Sequence, residues 1–189
     1  MNIPQGPNEI LNRLTAAGFQ AYAVGGCVRD SLLGTVPGDW DICTSALPEE
    51  TEACFSDLRV VETGLKHGTV TVIFQGVPYE ITTFRSDGNY LDHRRPQQVN
   101  FVRTLKEDLL RRDFTINAMA VGLDEEIQDP FGGRQDLKDG IIRCVGDPDT
   151  RFTEDALRIL RGLRFASRLG FSIAPETAAA MERNKNLLS

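Results

Sequence analysis

The feature that most constrains this chain is an apolar run, Ala21 to Val24, broken by Gly25-Gly26 and followed by Cys27 to Leu33, a stretch that can form a helix ending at Gly34. A strand that turns through two glycines into a helix lets the main chain approach a ligand closely, and the helix start offers unpaired N–H groups suited to phosphate. A second strand follows within a few residues, Trp40-Asp41-Ile42-Cys43, alternating polar and apolar. Residues two apart on a strand share a face, so Asp39 and Asp41 are expected to project together while Trp40 and Ile42 pack the other side.

The rest of the pattern fits an α/β (α+β) head. A helix is expected over Asn8 to Ala17, carrying Ile10, Leu11 and Leu14, and another over Pro48 to Phe55. Gly68 to Phe74 and Pro78 to Phe84 flank Gln75-Gly76-Val77 as a hairpin. Ser86 to Gln98 has no apolar period and reads as a mobile polar loop. Asp108 to Val121 reads as a helix, Ile127 to Val145 as short strands and turns, and Glu154 to Leu169 as a long helix followed by a short helical stretch. The expectation is a small mixed sheet flanked by helices over residues 1–148, then helices only over 149–189. Those last residues hold too little core to stand alone, which predicts an incomplete helical region.

With 41% hydrophobic and 25% charged residues the chain reads as soluble and globular. No stretch approaches a membrane span, and MNIPQGPNEI has no secretory pattern, so a cytoplasmic protein is expected. Cys27, Cys43, Cys54 and Cys144 form no Cys-x-x-Cys pair, and His67 and His93 are the two histidines. Reduced thiols are expected rather than a zinc site. Lys plus Arg is 21 against 27 for Asp plus Glu, a formal charge of −6. Affinity for a polyanion comes mainly from Lys and Arg, so nucleic-acid contact would need local basic clusters or segments outside this chain.

Paired carboxylates on a stiff strand are costly without a cation. Mg²⁺ takes one or two carboxylates together with phosphate oxygens, which Asp39 and Asp41 suit, and Glu80 on a later strand is a candidate third acid for a two-ion site. A second constellation is Asp155 and Arg158, three apart at the edge of an apolar arc of Ala156, Ile159, Leu160, Leu163 and Ala166. An acceptor beside a donor suits the Watson–Crick edges of C and A, whereas G and U would leave buried polar groups unpaired. The same spacing also suits a simple intrahelical salt bridge.

These residues resemble the nucleotidyltransferase superfamily, specifically the bacterial and eukaryotic class of CCA-adding enzymes with their poly(A) polymerase relatives. The segments that carry the likeness are GGCVRDSLLG, DWDICTSA, YEITTFR, YLDHRRP, DLLRRDFTINAMA, DPFGGRQDLKDGIIRCVGDP and FTEDALRILRGLRFASRLGF, in the family's order over residues 22–171. The resemblance implies an αβ head followed by the start of a helical neck, with Asp39 and Asp41 as ligands of Mg²⁺ (two ions during catalysis) and Glu80 as the third acid. It implies that Gly25, Gly26, Arg29 and Arg161 handle triphosphate, although Arg29 can equally pair with Asp30. Arg112, Asp113 and Asn117 match the ribose motif, with Arg112 able to reach phosphate or to pair with Asp113. Asp155, Arg158 and Arg161 would select CTP and ATP. Asp92, Arg94 and Arg95 fall in a flexible loop required for adding A, which disfavours a CC-only enzyme. The implied reaction is template-independent addition to the 3′ end of tRNA. A-only addition, poly(A) synthesis and a non-catalytic nucleotide-binding module remain open alternatives. The family's tRNA-gripping regions are missing, so this chain is expected to bind ATP or CTP but tRNA only weakly. Oligomeric state is not legible.

Overall fold

A computed structural model describes residues 1–64, 67–88 and 99–188, without the side chains of Thr63 and Asp87. Asp92, Arg94 and Arg95 therefore lie outside the described residues. The central sheet joins seven strands in the order β3-β4-β5-β2-β1-β8-β9. They are β1 (Ala21–Val24), β2 (Ile42–Thr44), β3 (Arg59–Gly64), β4 (Thr69–Phe74), β5 (Val77–Thr83), β8 (Ala120–Val121) and β9 (Ile127–Gln128). Only β2 and β5 run parallel within it; the other pairs are antiparallel, so the sheet is mixed as expected. Between them β6 (Arg85–Asp87) and β7 (Val99–Phe101) form a separate antiparallel pair.

Helices cover both faces: α1 (Gln5–Ala16), α2 (Gly26–Leu32), α3 (Pro48–Cys54), α4 (Leu105–Leu110) and α5 (Gly133–Asp139). The period-two alternation of the central strands sorts their side chains. Ala21, Ala23, Ile42 and Val121 join Ile10, Leu11 and Leu14 of α1 in one core. Val24, Cys43 and Ala120 join Phe84 and Leu109 of α4 in a second core on the opposite face. The chain closes with β10 (Ile141–Ile142), α6 (Pro148–Glu154), α7 (Leu157–Leu169), β11 (Ser172–Ile173) and α8 (Pro175–Asn184). Phe152, Ile159, Phe165 and Met181 from these helices belong to the same core as α1 and β1.

Five expectations need correction. The helix read over Asp108 to Val121 is α4 alone, starting at Leu105 and ending at Leu110. Phe114 bridges Cys144, Thr115 N–H donates to Arg143 O and Val145 N–H to Asp113 O, so this β-branched and aromatic segment pairs with residues 143–145. A short 3₁₀ turn, Thr115–Asn117, then leads into β8. The helix read from Glu154 breaks at Asp155, whose φ of −139° and ψ of 101° are extended. Its carboxylate accepts the Leu157 N–H, so it precedes α7 and its Ala156 cap rather than riding on the helix.

The apolar arc of α7 is also rotated. Leu160 and Leu163 are 51% and 50% exposed, whereas Arg158, Ile159, Gly162 and Phe165 are buried. Gly162 explains the phase, because an added Cβ there would meet Met181 Cε at 2.4 Å and Phe114 Cζ at 2.9 Å. The stretch from Ile127 to Val145 contains α5, whose first N–H groups are held by the Asp129 carboxylate at 2.7 and 2.9 Å. The segment after 149 is not helical throughout, since β11 returns to pair in parallel with β10. β3 fills a segment to which no element had been given, at an edge of the sheet.

Candidate functional site

The acids come together because of strand register. Ile42 pairs with Ile81 and Cys43 with Thr82, so Asp41 and Glu80 stand at the same level one residue earlier on neighbouring strands. Asp39 and Asp41 sit just before β2, which starts at Ile42 rather than at Trp40; Trp40 packs against the core that holds Ile42 and also borders the hollow of the acids. Asp39, Asp41 and Glu80 line one hollow with Thr71. Burial, then the charge of Glu80, push the Asp41 carboxyl above its ordinary range; Arg112 opposes this and Asp39 adds to it. A carboxylate crowded by two others favours a cation. Among the described residues, however, no group of three His, Cys, Asp or Glu side chains is drawn together tightly enough to hold a metal by itself.

Asp41 also lines a second, larger cleft of about 440 Å³, within the range of small-ligand sites. Its floor is Gly25 and Gly26. Gly25 has φ 80° and ψ −123°, a backbone region for glycine, and its N–H donates to Met119 O. The walls bring together Arg29, Arg112, Asp113 and Asn117 from one side and Asp155, Arg158 and Arg161 from the other. The residues expected to serve triphosphate, ribose and base thus share one cavity.

Their individual contacts differ from the expectations. The Arg29 guanidinium donates to Asp30 at 2.8 Å and to Asn117 Oδ1 at 2.6 Å. Asn117 in turn donates to Asp113 Oδ1 at 3.3 Å. Asp113 Oδ2 accepts from Arg161 Nε and Nη2 at 2.8 and 2.7 Å. A ribose or phosphate entering here would have to share or displace that ion pair. Arg112 pairs with Asp108 at 3.1 Å, not with Asp113. Its Nε is buried without a hydrogen-bond partner among the described residues.

Burial raises the Asp155 carboxyl above its ordinary range against the pull of the Leu157 N–H and of Arg158 and Arg161. Asp155 Oδ1 accepts from the Leu157 N–H, and the Asp155 side chain lines the cleft. Arg158, 7% exposed, donates to Glu154 and to the carbonyls of Arg151 and Arg111.

Most of the cleft's glycine, ribose-side and acidic residues fall in a stretch shared with relatives of known name. The family model described as the poly A polymerase head domain matches residues 21–143. The chain belongs to the poly A polymerase head family. The CCA-adding enzyme of Geobacillus thermodenitrificans is 53% identical over 180 residues, which cover 95% of this chain and 44% of that enzyme. The crystal structure of the Bacillus stearothermophilus CCA-adding enzyme in complex with CTP matches with a TM-score of 0.91 at 49% identity, over 100% of this chain and 45% of that one. The Thermotoga maritima CCA-adding enzyme complexed with tRNA_CCA matches with a TM-score of 0.78 at 31% identity, over 96% of this chain and 42% of that one. The chain thus spans less than half the length of these relatives.

Against this family background, three parts of the site went unread in the sequence. Phe165 is buried, edge-on to Phe114, and gathers three guanidinium groups: Arg29, Arg164 and Arg161 lie 5.2, 5.3 and 5.5 Å from its ring centre. Arg164 and Arg168 also line the cleft. Asp108 is fully buried and holds both Arg111 and Arg112. Its signal was available, since Asp108 precedes two arginines by three and four residues, the spacing of helical neighbours. Thr104 caps α4 by accepting the Glu107 N–H, and its hydroxyl donates to the Glu107 carboxylate.

Proposed function

We propose that this chain is the nucleotide-binding and catalytic head of an enzyme that adds C and A to the 3′ end of tRNA without a nucleic-acid template. The observation that carries the reading is the single cleft in which an acidic hollow, a glycine floor and an arginine-rich wall meet at Asp41. The likeness to an enzyme crystallised with CTP and to one complexed with tRNA_CCA supports it.

On this reading Gly25 and Gly26 let the triphosphate lie against the main chain, and Arg29 and Arg161 face its charge. Asp113, with Arg112 and Asn117 around it, accepts from the ribose 2′-hydroxyl, a donor that a deoxynucleotide lacks. The Asp155 carboxylate accepts from the exocyclic amine of C or A, and Arg158 donates to a ring nitrogen once a guanidinium N–H turns from Glu154 or its carbonyl partners. Asp39, Asp41 and Glu80 would hold Mg²⁺. An open set of carboxylates fits that ion, which takes few protein ligands and keeps positions for phosphate oxygens and water. When bound, it would supply charge neutralisation of the phosphates and a more acidic 3′-hydroxyl. That oxygen bonds to the α-phosphorus and pyrophosphate leaves. The acceptor arm of tRNA would be gripped mainly by regions beyond these residues, so the chain alone binds tRNA weakly. It would work in the cytoplasm, where tRNA and nucleoside triphosphates are found.

Titration calorimetry of the chain with CTP, ATP, GTP and UTP in Mg²⁺ tests the base-reading role. CTP and ATP are expected to bind at least about tenfold more tightly than GTP and UTP. Asp155→Ala should erase that preference. Equal affinity for all four nucleotides in the wild-type chain would contradict the reading.

A further inference from the structure

Asp108 takes part in none of the roles above, yet it is the most buried charge beside the cleft, with a side chain 0% exposed. A carboxylate at that depth is costly unless every lone pair finds a donor. Here the donors come from two elements. Oδ1 accepts from Arg111 Nε at 3.0 Å and from the main-chain N–H of Arg85, at the start of β6, at 3.1 Å. Oδ2 accepts from Arg112 Nη2 at 3.1 Å. Burial alone would raise this carboxyl, but Arg112 and then Arg111 outweigh it and hold it below the ordinary range, so it is ionised near neutrality.

The main-chain bond matters most. A carboxylate held only by two flexible arginines would move with them, whereas the Arg85 N–H fixes it to β6. Arg111 and Arg112 both line the cleft, and the Arg112 Nη1 atom lies 3.3 Å from where a Cβ on Gly25 would sit. Arg112 is thus the cation pressed nearest the glycine floor.

We propose that Asp108 is a positioning residue that fixes Arg111 and Arg112 against the glycine floor, so that nucleotide affinity depends on a carboxylate the nucleotide never touches. This rests on the reading of the cleft as a nucleoside triphosphate site, and the test separates the two. CTP with Mg²⁺ is titrated into the 189-residue wild-type chain, Asp108→Asn, the pair variant Arg111→Met/Arg112→Met, and the triple combination. Folding of each is checked by thermal melting.

The expected result is an affinity loss of about tenfold or more in D108N, matching loss of oriented charge-assisted contacts. The same substitution should cost under about twofold in the background lacking both arginines, because groups that act through one another are not additive. A purely structural role would lower affinity equally in both backgrounds and would overturn the proposal. So would wild-type affinity in a folded D108N chain. If D108N does not fold, Asp108→Glu keeps the charge but shifts it by one methylene. It should fold and bind CTP at least about threefold more weakly, and unchanged affinity there would overturn the proposal. Failure of the wild-type chain to bind CTP or ATP would instead remove the nucleotide-site reading, and the proposal with it.

Discussion

At the scale of single residues, the glycine turn separates what the fold needs from what a ligand needs. Gly25 sits in a backbone region closed to other residues, and a methyl there would also press on Arg112 Nη1. Gly25→Ala is expected to destabilise the chain by about 1–3 kcal/mol in denaturant unfolding. Gly26 differs: a Cβ would find its nearest neighbour, Arg29 Nη2, at an ordinary 3.6 Å, and alanine is the better helix residue. Gly26→Ala should therefore keep native stability within about 1 kcal/mol while weakening CTP binding, because the added methyl fills the floor of the cleft. A stable G26A chain with unchanged CTP affinity would show that no ligand approaches that floor. Both glycines stood out in the sequence because a break between an apolar strand and a helix is local information. The pairing of Arg29 with Asn117, 88 positions away, was not legible, since only the tertiary structure brings them together.

At the scale of elements, the same division holds. The β1–α2 turn and the β4–β5 hairpin were legible because their signals lie within a few residues. The segment after α4 was misread because its apolar residues mimic a helical period, while pairing with residues 143–145 wins in the folded chain. α5 and β11 are too short to show a period at all. The phase of α7 depends on Gly162, whose role is invisible without Phe114 and Met181. In an exposed helix, alanine in place of glycine stabilises by up to about 1 kcal/mol. Gly162→Ala should do the opposite and cost about 1–3 kcal/mol, because the Phe114 ring is fully buried and cannot withdraw, although Met181 can bend aside. Urea unfolding decides the sign, and a G162A chain as stable as wild type would show that α7 packs differently.

At the scale of the whole molecule, the acidic net charge and the nucleotide reading are reconciled by distribution. The chain carries −6 overall, yet its main cleft is lined by seven arginines, Arg29, Arg111, Arg112, Arg158, Arg161, Arg164 and Arg168, against Asp41, Asp113 and Asp155. Positive charge is concentrated where a triphosphate would lie, and the carboxylates of Asp39, Asp41 and Glu80 stand at one end of it. The acids were legible as a strand pattern, and their meeting with Glu80 followed from the parallel register of β2 and β5. The arginine cluster around Phe165 was not, because Arg29 and α7 are far apart in the chain. No helix of the described residues is long and apolar enough to cross a membrane. All four cysteines are free; burial pushes the Cys27 and Cys144 thiols up to about 12, which leaves them protonated and unreactive near neutrality.

The central claim is that acids and arginines form one site, so cation and nucleotide must bind together. Its most direct measurement is the affinity of CTP with and without Mg²⁺ for the wild-type chain and for Asp39→Asn/Asp41→Asn. Mg²⁺ is expected to tighten CTP binding by about tenfold or more in the wild type and to change it less than about twofold in the variant. The same Mg²⁺ enhancement in both proteins would contradict the claim.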